Sequence, residues 1–507
     1  MPANADRVFG EGVAFPVGGD GRSSSLATGR AIFADSIREI APAIAAHIEH
    51  TDDWRHGYLK PVRDSVLAIA QQPNQVVPTA QAGLDSTHRR FQFTRNGRTM
   101  TFDEALAEST SPATAVIRGH APGETGFSVP YRGQRLFTDD LRRQLDLWVA
   151  EGVAEPDFAT ALHCVLDNPD WLDLSDLHIA VLGAGAEMAP TRSLLRWGAS
   201  VHAIDLPNPA TWQRLIGIAR ATSGRLYIPI ADGESEMPVV HPDEDEVVAE
   251  LAGIDLVRHT PEILKWLTRI QEPLTLGSYA YADGAKHVQL SVATDLIVQH
   301  LMATNPAFSL AYLATPADVY LVPDAAVVES RRRWKARGVT SVLQVPLRAV
   351  KKFKPNYSVI TAHVDETHGL NDSLIEQQGP NYALAKHIQG WRALVARDAG
   401  IATSINIAPM TRTQSVIKNR ALKAGYSGAA RFGIEVFDPA TSTALMAGLL
   451  VHDLRNPNSK AKPTTALAHP LELLSNNAIH GGLWRTAYAP RSVLTFAAML
   501  GLFESRH

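Results

Sequence analysis

The chain is 507 residues long, 45% hydrophobic and 20% charged, enough to bury large cores and to form two or three domains. Lys and Arg total 48 against 52 Asp and Glu, a net charge near −4, and no basic tract or aromatic–basic stripe offers a nucleic-acid footprint. The single cysteine, Cys164, excludes an intramolecular disulfide framework and any multi-cysteine zinc or iron–sulfur site.

The opening stretch "MPANADRVFGEGVAFPVGG" lacks the basic and apolar segments of a secretory signal. No uninterrupted apolar run is long enough to span a bilayer, so a soluble, cytoplasmic protein is expected. Residues 1 to about 30 are rich in Gly, Ser and polar side chains and read as poorly ordered. The rest of the first 170 residues reads as α-rich, with apolar positions three and four apart in "AIFADSIREIAPAIAAHIEH", "DSVLAIAQQ" and "DDLRRQLDLWVAEGVAEPDFATALHCVL". Cys164 falls on the apolar face of the last of these and reads as a structural thiol. One strand pair interrupts the helices, in "RRFQFTRNGRTMTF", with its turn at Asn96-Gly97.

From about Leu177 short apolar runs alternate with helical segments: "HIAVLGAG", "SVHAIDL", "RLYIPIAD", "LAYLATPADVYLV", "YSVITAHV" and "IATSINIAP". That rhythm predicts an α/β fold, a doubly wound parallel sheet of Rossmann type over residues 171–455. Residues 456–507 read as a Pro- and Lys-bearing loop and a short helical extension. The apolar "SVLTFAAMLGLF" within it reads as a docked helix or a contact in a homo-oligomer.

The stretch "LHIAVLGAGAEMAPTRSLLRWGASVHAIDLP" carries a dinucleotide-binding pattern. A buried strand ends at Leu182. Gly183 permits a tight turn, Gly185 lets a pyrophosphate approach the backbone, and Ala186 and Met188 complete the turn before a helix running to about Trp197. Met188 replaces the third glycine of the pattern, which predicts looser helix–strand packing or a displaced phosphate turn. Asp205 follows Gly183 by 22 residues, the interval of an acid that binds the adenosine ribose. Its carboxylate would repel a 2′-phosphate, so NAD is preferred to NADP. Asp232, ending the third strand, is a candidate against adenine or a turn residue. A methyltransferase has the same glycine turn and acid, and competes at this point.

The second half contains "GPNYALAKHIQGWRALVARDAG", where Tyr382 and Lys386 share a helix face. An ammonium there is expected to lower the phenol's pKa towards the range of a general acid/base. The strand "IATSINIAP" follows, ending at Pro409 with Thr411 and Thr413 beyond. This order resembles the short-chain dehydrogenase/reductase superfamily over residues 177–450. The resemblance implies that Tyr382 exchanges a proton with the substrate oxygen, that Lys386 binds the nicotinamide ribose, and that Pro409 and Thr411 line the nicotinamide end. It also implies a hydroxyl at the end of the preceding strand. Gly369 stands at the usual interval, so Thr361 in "YSVITAHV" takes that role here, with His363 and Ser373 as other candidates. The family's Asn-Asn-Ala-Gly signature is missing. Gly277, Ser278 and Asp283 stand in that region, and no residue matches the asparagine that the resemblance implies beside the Tyr, the Lys and the hydroxyl. Gly183 and Tyr382 lie farther apart than is usual, which requires inserted elements between them.

The reading is an NAD-dependent oxidoreductase that interconverts an alcohol and a carbonyl on a small molecule, bulky and hydrophobic if the Trp-bearing N-terminal helices cover the site. The alternatives are a lyase, isomerase or epimerase that retains NAD, and a non-catalytic nucleotide-binding or interaction protein on the same fold.

Overall fold

The computed structural model describes residues 10–19, 21–230, 236–237, 239–338, 352–418 and 420–504. Its centre is a seven-stranded sheet made of β1 (Ala113–Arg118), β2 (His178–Leu182), β3 (Ser200–Ile204), β4 (Arg225–Ile230), β5 (Leu274–Ser278), β6 (Ser309–Ala314) and β7 (Ala402–Ile407). In space they run β7-β6-β5-β2-β3-β4-β1. Every pairing is parallel except that of β1 with β4. The six parallel strands thus follow the doubly wound order 3-2-1-4-5-6, whose winding reverses between β2 and β5. Ligands bind such sheets in the crevice at that reversal, beyond the carboxyl ends of the strands.

The strands are short β-branched and aliphatic runs, and their alternate side chains feed two cores. Along β2, Ala180 and Leu182 point into one core while Ile179 and Val181 point into the other. The first core is closed by helices Ser25–Ile37, Leu59–Ala70, Val76–Arg90, Ala285–Thr304 and Pro380–Asp398. The second is closed by helices Thr138–Glu151, Pro156–Asp167, Pro209–Arg220 and Pro439–Arg455. The first 170 residues, read from sequence as one α-rich region, therefore divide between the two faces. β1 also comes from this region and pairs along the outer edge of β4.

The segment before residue 30 was expected to be loosely held, yet Gly12–Ala14 is a buried strand paired with Gln92–Arg95. Val13 and Phe15 are almost wholly buried in the first core, and that burial holds the segment. Gln92–Arg95 turns into Arg98–Met100 through Asn96 (φ 51°) and Gly97 (φ 73°), the two positive dihedrals that a tight hairpin turn requires.

The N-terminal helices lie on helix Pro380–Asp398. Any β-carbon at Gly83 would stand 2.6 Å from the Trp391 ring, so the helices approach closely. A buried network joins them: Asp295 accepts two bonds from Arg392, at 2.6 and 2.9 Å, and lies 2.7 Å from His88 Nε2. The C-terminal segment is fastened to the second face by Glu155, which meets His480 at 3.0 Å and Arg485 at 2.8 and 2.6 Å. Among the described residues no helix is long and apolar enough to cross a membrane.

Candidate active site

Gly183 stands at the winding reversal. Its φ of +80° suits glycine, and a β-carbon there would lie 2.6 Å from Ala280 Cα in the loop after β5. Gly185 is equally tight, with the Thr211 methyl 2.5 Å from its virtual β-carbon. Asp205 is turned into this loop: its Oδ2 accepts from the Gly185 N–H at 2.7 Å and its Oδ1 from the Leu206 N–H at 2.8 Å. Burial pushes its carboxyl above the usual range, and those two N–H groups pull it back. Arg214 donates to the Gly185 carbonyl at 2.8 Å. The Ala186 N–H donates to the Gly183 carbonyl at 3.0 Å, and Met188 is half-buried. The following helix begins only at Thr191 and ends at Arg196. The space of both missing side chains is taken up by the chain's own Ala280 and Thr211, so the glycines serve a tight turn, with an acid and an arginine beside it. The Gly185 N–H is engaged by Asp205 rather than presented. Asp232 lies outside the described residues.

Tyr382 sits in the first turn of helix Pro380–Asp398, which returns the chain from β6 to β7. Its phenol lies beside the Thr315 hydroxyl, one residue past the end of β6. Its ring stacks on His287, with centroids 5.5 Å apart and an interplanar angle of 16°, and Tyr281 approaches at 6.4 Å. Lys386 is one turn on, its Nζ 6.0 Å from the centre of the Tyr382 ring. That ammonium donates to the Leu313 carbonyl and to Gln389 Oε1, both at 3.0 Å.

The electrostatics differ from the expectation that Lys386 lowers the phenol's pKa. Burial pushes Tyr382 up to about 12; the Thr315 bond opposes this and the Asp318 charge adds to it. Burial also brings Lys386 down to about 8 against the pull of Asp318. Both shifts disfavour the charged form, as desolvation must. His287 is 1% exposed, and neither ring nitrogen has a hydrogen-bond partner among the described residues. Burial, then the Lys386 charge, bring it down to about 3, so it is neutral.

The other hydroxyl predictions need correcting by placement. Thr361 is not on a strand leading to Tyr382. It lies in a turn, where its hydroxyl meets Ser358 Oγ at 3.0 Å. The hydroxyl beside the phenol is that of Thr315. Between β6 and Tyr382 an insertion supplies the antiparallel pair Val319–Pro323 and His368–Asp372 and helix Asp324–Lys335. Gly369 belongs to that pair, His363 is exposed beside Arg331, and Ser373 donates to Asn371 Oδ1. The strand-end signal "LAYLATP" was visible in the sequence; what hid Thr315 was the length of the insertion.

Pro409 and Thr411 do stand beyond the end of β7, but the Thr411 hydroxyl is spent on the Pro409 carbonyl and Ser442 Oγ, both at 2.7 Å. Thr413 meets Ser415 at 3.0 Å, and Ser415 in turn bonds the Tyr281 phenol, which also donates to Asp283 at 2.8 Å. Ser278 and Gly277 are buried within β5. Sequence reasoning missed His287, whose stacking and unpartnered nitrogens are tertiary properties with no local signal. It also missed Arg214.

No protein-family model matches the chain, and no curated protein does. A solved structure that matches is the 3-oxoacyl-[acyl-carrier protein] reductase from Brucella melitensis ATCC 23457, at 13% identity and a TM-score of 0.29, over 54% of this chain and 88% of that one. At that score the fold rests on the strand order, not on the match.

Proposed function

We propose that this chain is an oxidoreductase that interconverts a carbonyl and an alcohol with a nicotinamide dinucleotide, Tyr382 moving the proton at the substrate oxygen. The observation that carries it is the placement of the Tyr382 phenol against Thr315 at the carboxyl end of β6, with Lys386 one turn behind. Gly183, Gly185, Ala186, Met188 and Asp205 would hold the dinucleotide's adenosine half and pyrophosphate, with Arg214 beside them. Lys386 would meet the ribose, and Pro409 would line the nicotinamide end. The bound nicotinamide supplies or accepts the hydride.

The chain's own groups handle the proton. Raised to about 12, Tyr382 carries its proton at neutral pH and can donate it to a substrate oxygen. Thr315 orients the phenol and shares the developing charge on oxygen. Lys386, anchored to Leu313 and Gln389, places its ammonium behind the phenol and stabilises the phenolate left by proton donation. Asp205 favours NAD(H) over NADP(H).

A second reading, a Rossmann scaffold that binds no dinucleotide, is favoured by the engagement of the Gly185 N–H by Asp205. Fluorescence titration with NADH and NADPH separates the two. Saturable NADH binding, tighter than NADPH, supports the enzyme; no binding of either sinks it. With a carbonyl panel and NADH, Tyr382→Phe should then lose about 10²–10⁴-fold in turnover with NADH affinity kept.

A further inference from the structure

A cavity of about 70 Å³ lies behind Lys386, between helix Pro380–Asp398 and the N-terminal helices. One wall is polar and belongs to the proposed site: Thr315, Asp318 and Lys386. His387 and Gln389 extend the polar side, and the opposite side is aliphatic and aromatic, from Val66 and Ile69 on helix Leu59–Ala70, Val76, Trp391, Leu394 and Leu474. Thr79 also lines it, 3% exposed, and its hydroxyl has no partner among the described residues. Interiors are packed to the density of organic crystals, so the apolar side of this partly open cavity gives up dispersion contacts until something fills it. The cavity shares Thr315 with the phenol of Tyr382.

We propose that this chamber seats a short aliphatic substituent of the carbonyl or alcohol compound whose oxygen meets Tyr382. An engineered apolar cavity of about 150 Å³ holds a six-carbon ring, so about 70 Å³ admits on the order of three carbons. The substrate class is therefore an aliphatic carbonyl compound with a small apolar group on the Lys386 side, and the N-terminal helices supply its selectivity. The proposal rests on the reading of Tyr382 as the group that meets the substrate oxygen.

The test uses straight-chain primary alcohols from methanol to 1-hexanol, titrated into the full chain without cofactor and followed by ligand-observed NMR. Burying a methylene is worth about a fourfold gain in affinity, so the dissociation constant should fall about fourfold per carbon and level off after roughly three. Val66→Phe fills the chamber and should erase the steps. If that variant does not fold, Thr79→Ile fills the same wall and removes the unpartnered hydroxyl. A flat series in the wild type, or steps that survive in the filled variant, overturns the chamber. Steps that vanish on filling, combined with wild-type turnover in Tyr382→Phe, leave the chamber standing and remove Tyr382 from the chemistry instead.

Discussion

Replacing His287 by Phe should make the protein more stable. The imidazole is 1% exposed and neutral, so it brings one N–H donor and one acceptor into the interior, and neither finds a partner among the described residues. A buried polar group left unpaired costs about 1–3 kcal/mol. Phe keeps an aromatic ring against Tyr382 and Tyr281, which lie 5.5 and 5.0 Å away centre to centre, and removes both nitrogens. Its extra ring atom takes back part of the gain, since overpacking costs about 1–3 kcal/mol when severe. A net gain of about 1–2 kcal/mol remains. Unfolding entropy scales with length, at about 2.1 cal/mol/K per residue, so in a chain this long that is only about 1–2 °C in Tm. The urea midpoint is therefore the better assay. A variant more than about 1 kcal/mol less stable than the wild type would mean that the nitrogens hold native bonds and are not unpaired. A stabilised variant that also turns over more slowly would mark His287 as kept for the reaction at a cost to the fold.

Other substitutions separate the remaining assignments. Thr315→Val should slow turnover about 2–10-fold, the worth of one hydrogen bond of roughly 0.5–1.5 kcal/mol, whereas Thr361→Val should leave it near the wild-type rate. The reverse pattern would return the strand-end role to Thr361. Burial brings Lys386 down to about 8 from the 10.5 of an unperturbed lysine. Between those values the unfolded chain binds more protons, so wild-type stability should rise with pH from 8 to 10.5, the burial cost being fully present below 8. Lys386→Met should flatten that rise and stabilise the protein at pH 7; a slope unchanged in denaturation curves at pH 8 and 10 contradicts the burial of the charge. Asp205→Ala strips two backbone N–H groups of their acceptor and should destabilise the chain by about 1–3 kcal/mol. A loss below about 0.5 kcal/mol would mean that water replaces the carboxylate.

The glycine turn, Asp205 and the Tyr–Lys helix were legible because each is a local pattern: a strand, a punctuating glycine, a four-residue spacing. The partner of Tyr382 was not, because it depends on which strand precedes the helix in space. "YSVITAHV" has the β-branched content of a strand, yet Val359 and Ile360 are 92% and 70% exposed in a turn, where no neighbouring strand pairs with them. Pairing overrides propensity. β1 was hidden for a related reason. "ATAVIR" is too short to declare itself, and it is a strand because the edge of β4 is there to receive it. The boundary drawn near residue 170 followed the change in periodicity, whereas packing follows the two faces of the sheet, to which the earlier helices were already committed.

The contacts between the N-terminal helices and helix Pro380–Asp398 also set the order of events at the ribosome. His88 and Gly83 are made early, while Arg392 and Trp391, against which they lock, lie about 300 residues later in the chain. At synthesis rates of 5–20 residues per second, the first helices wait roughly 15–60 s for the surface that completes their core. Through that interval the faces of helices Ser25–Ile37 and Val76–Arg90 that later lie on helix Pro380–Asp398 stay open to water. Such long-range pairing slows folding and leaves the nascent chain open to association. The yield of folded protein should therefore depend on holdase chaperones and on translation speed across residues 90–400 more than on the stability of the finished fold.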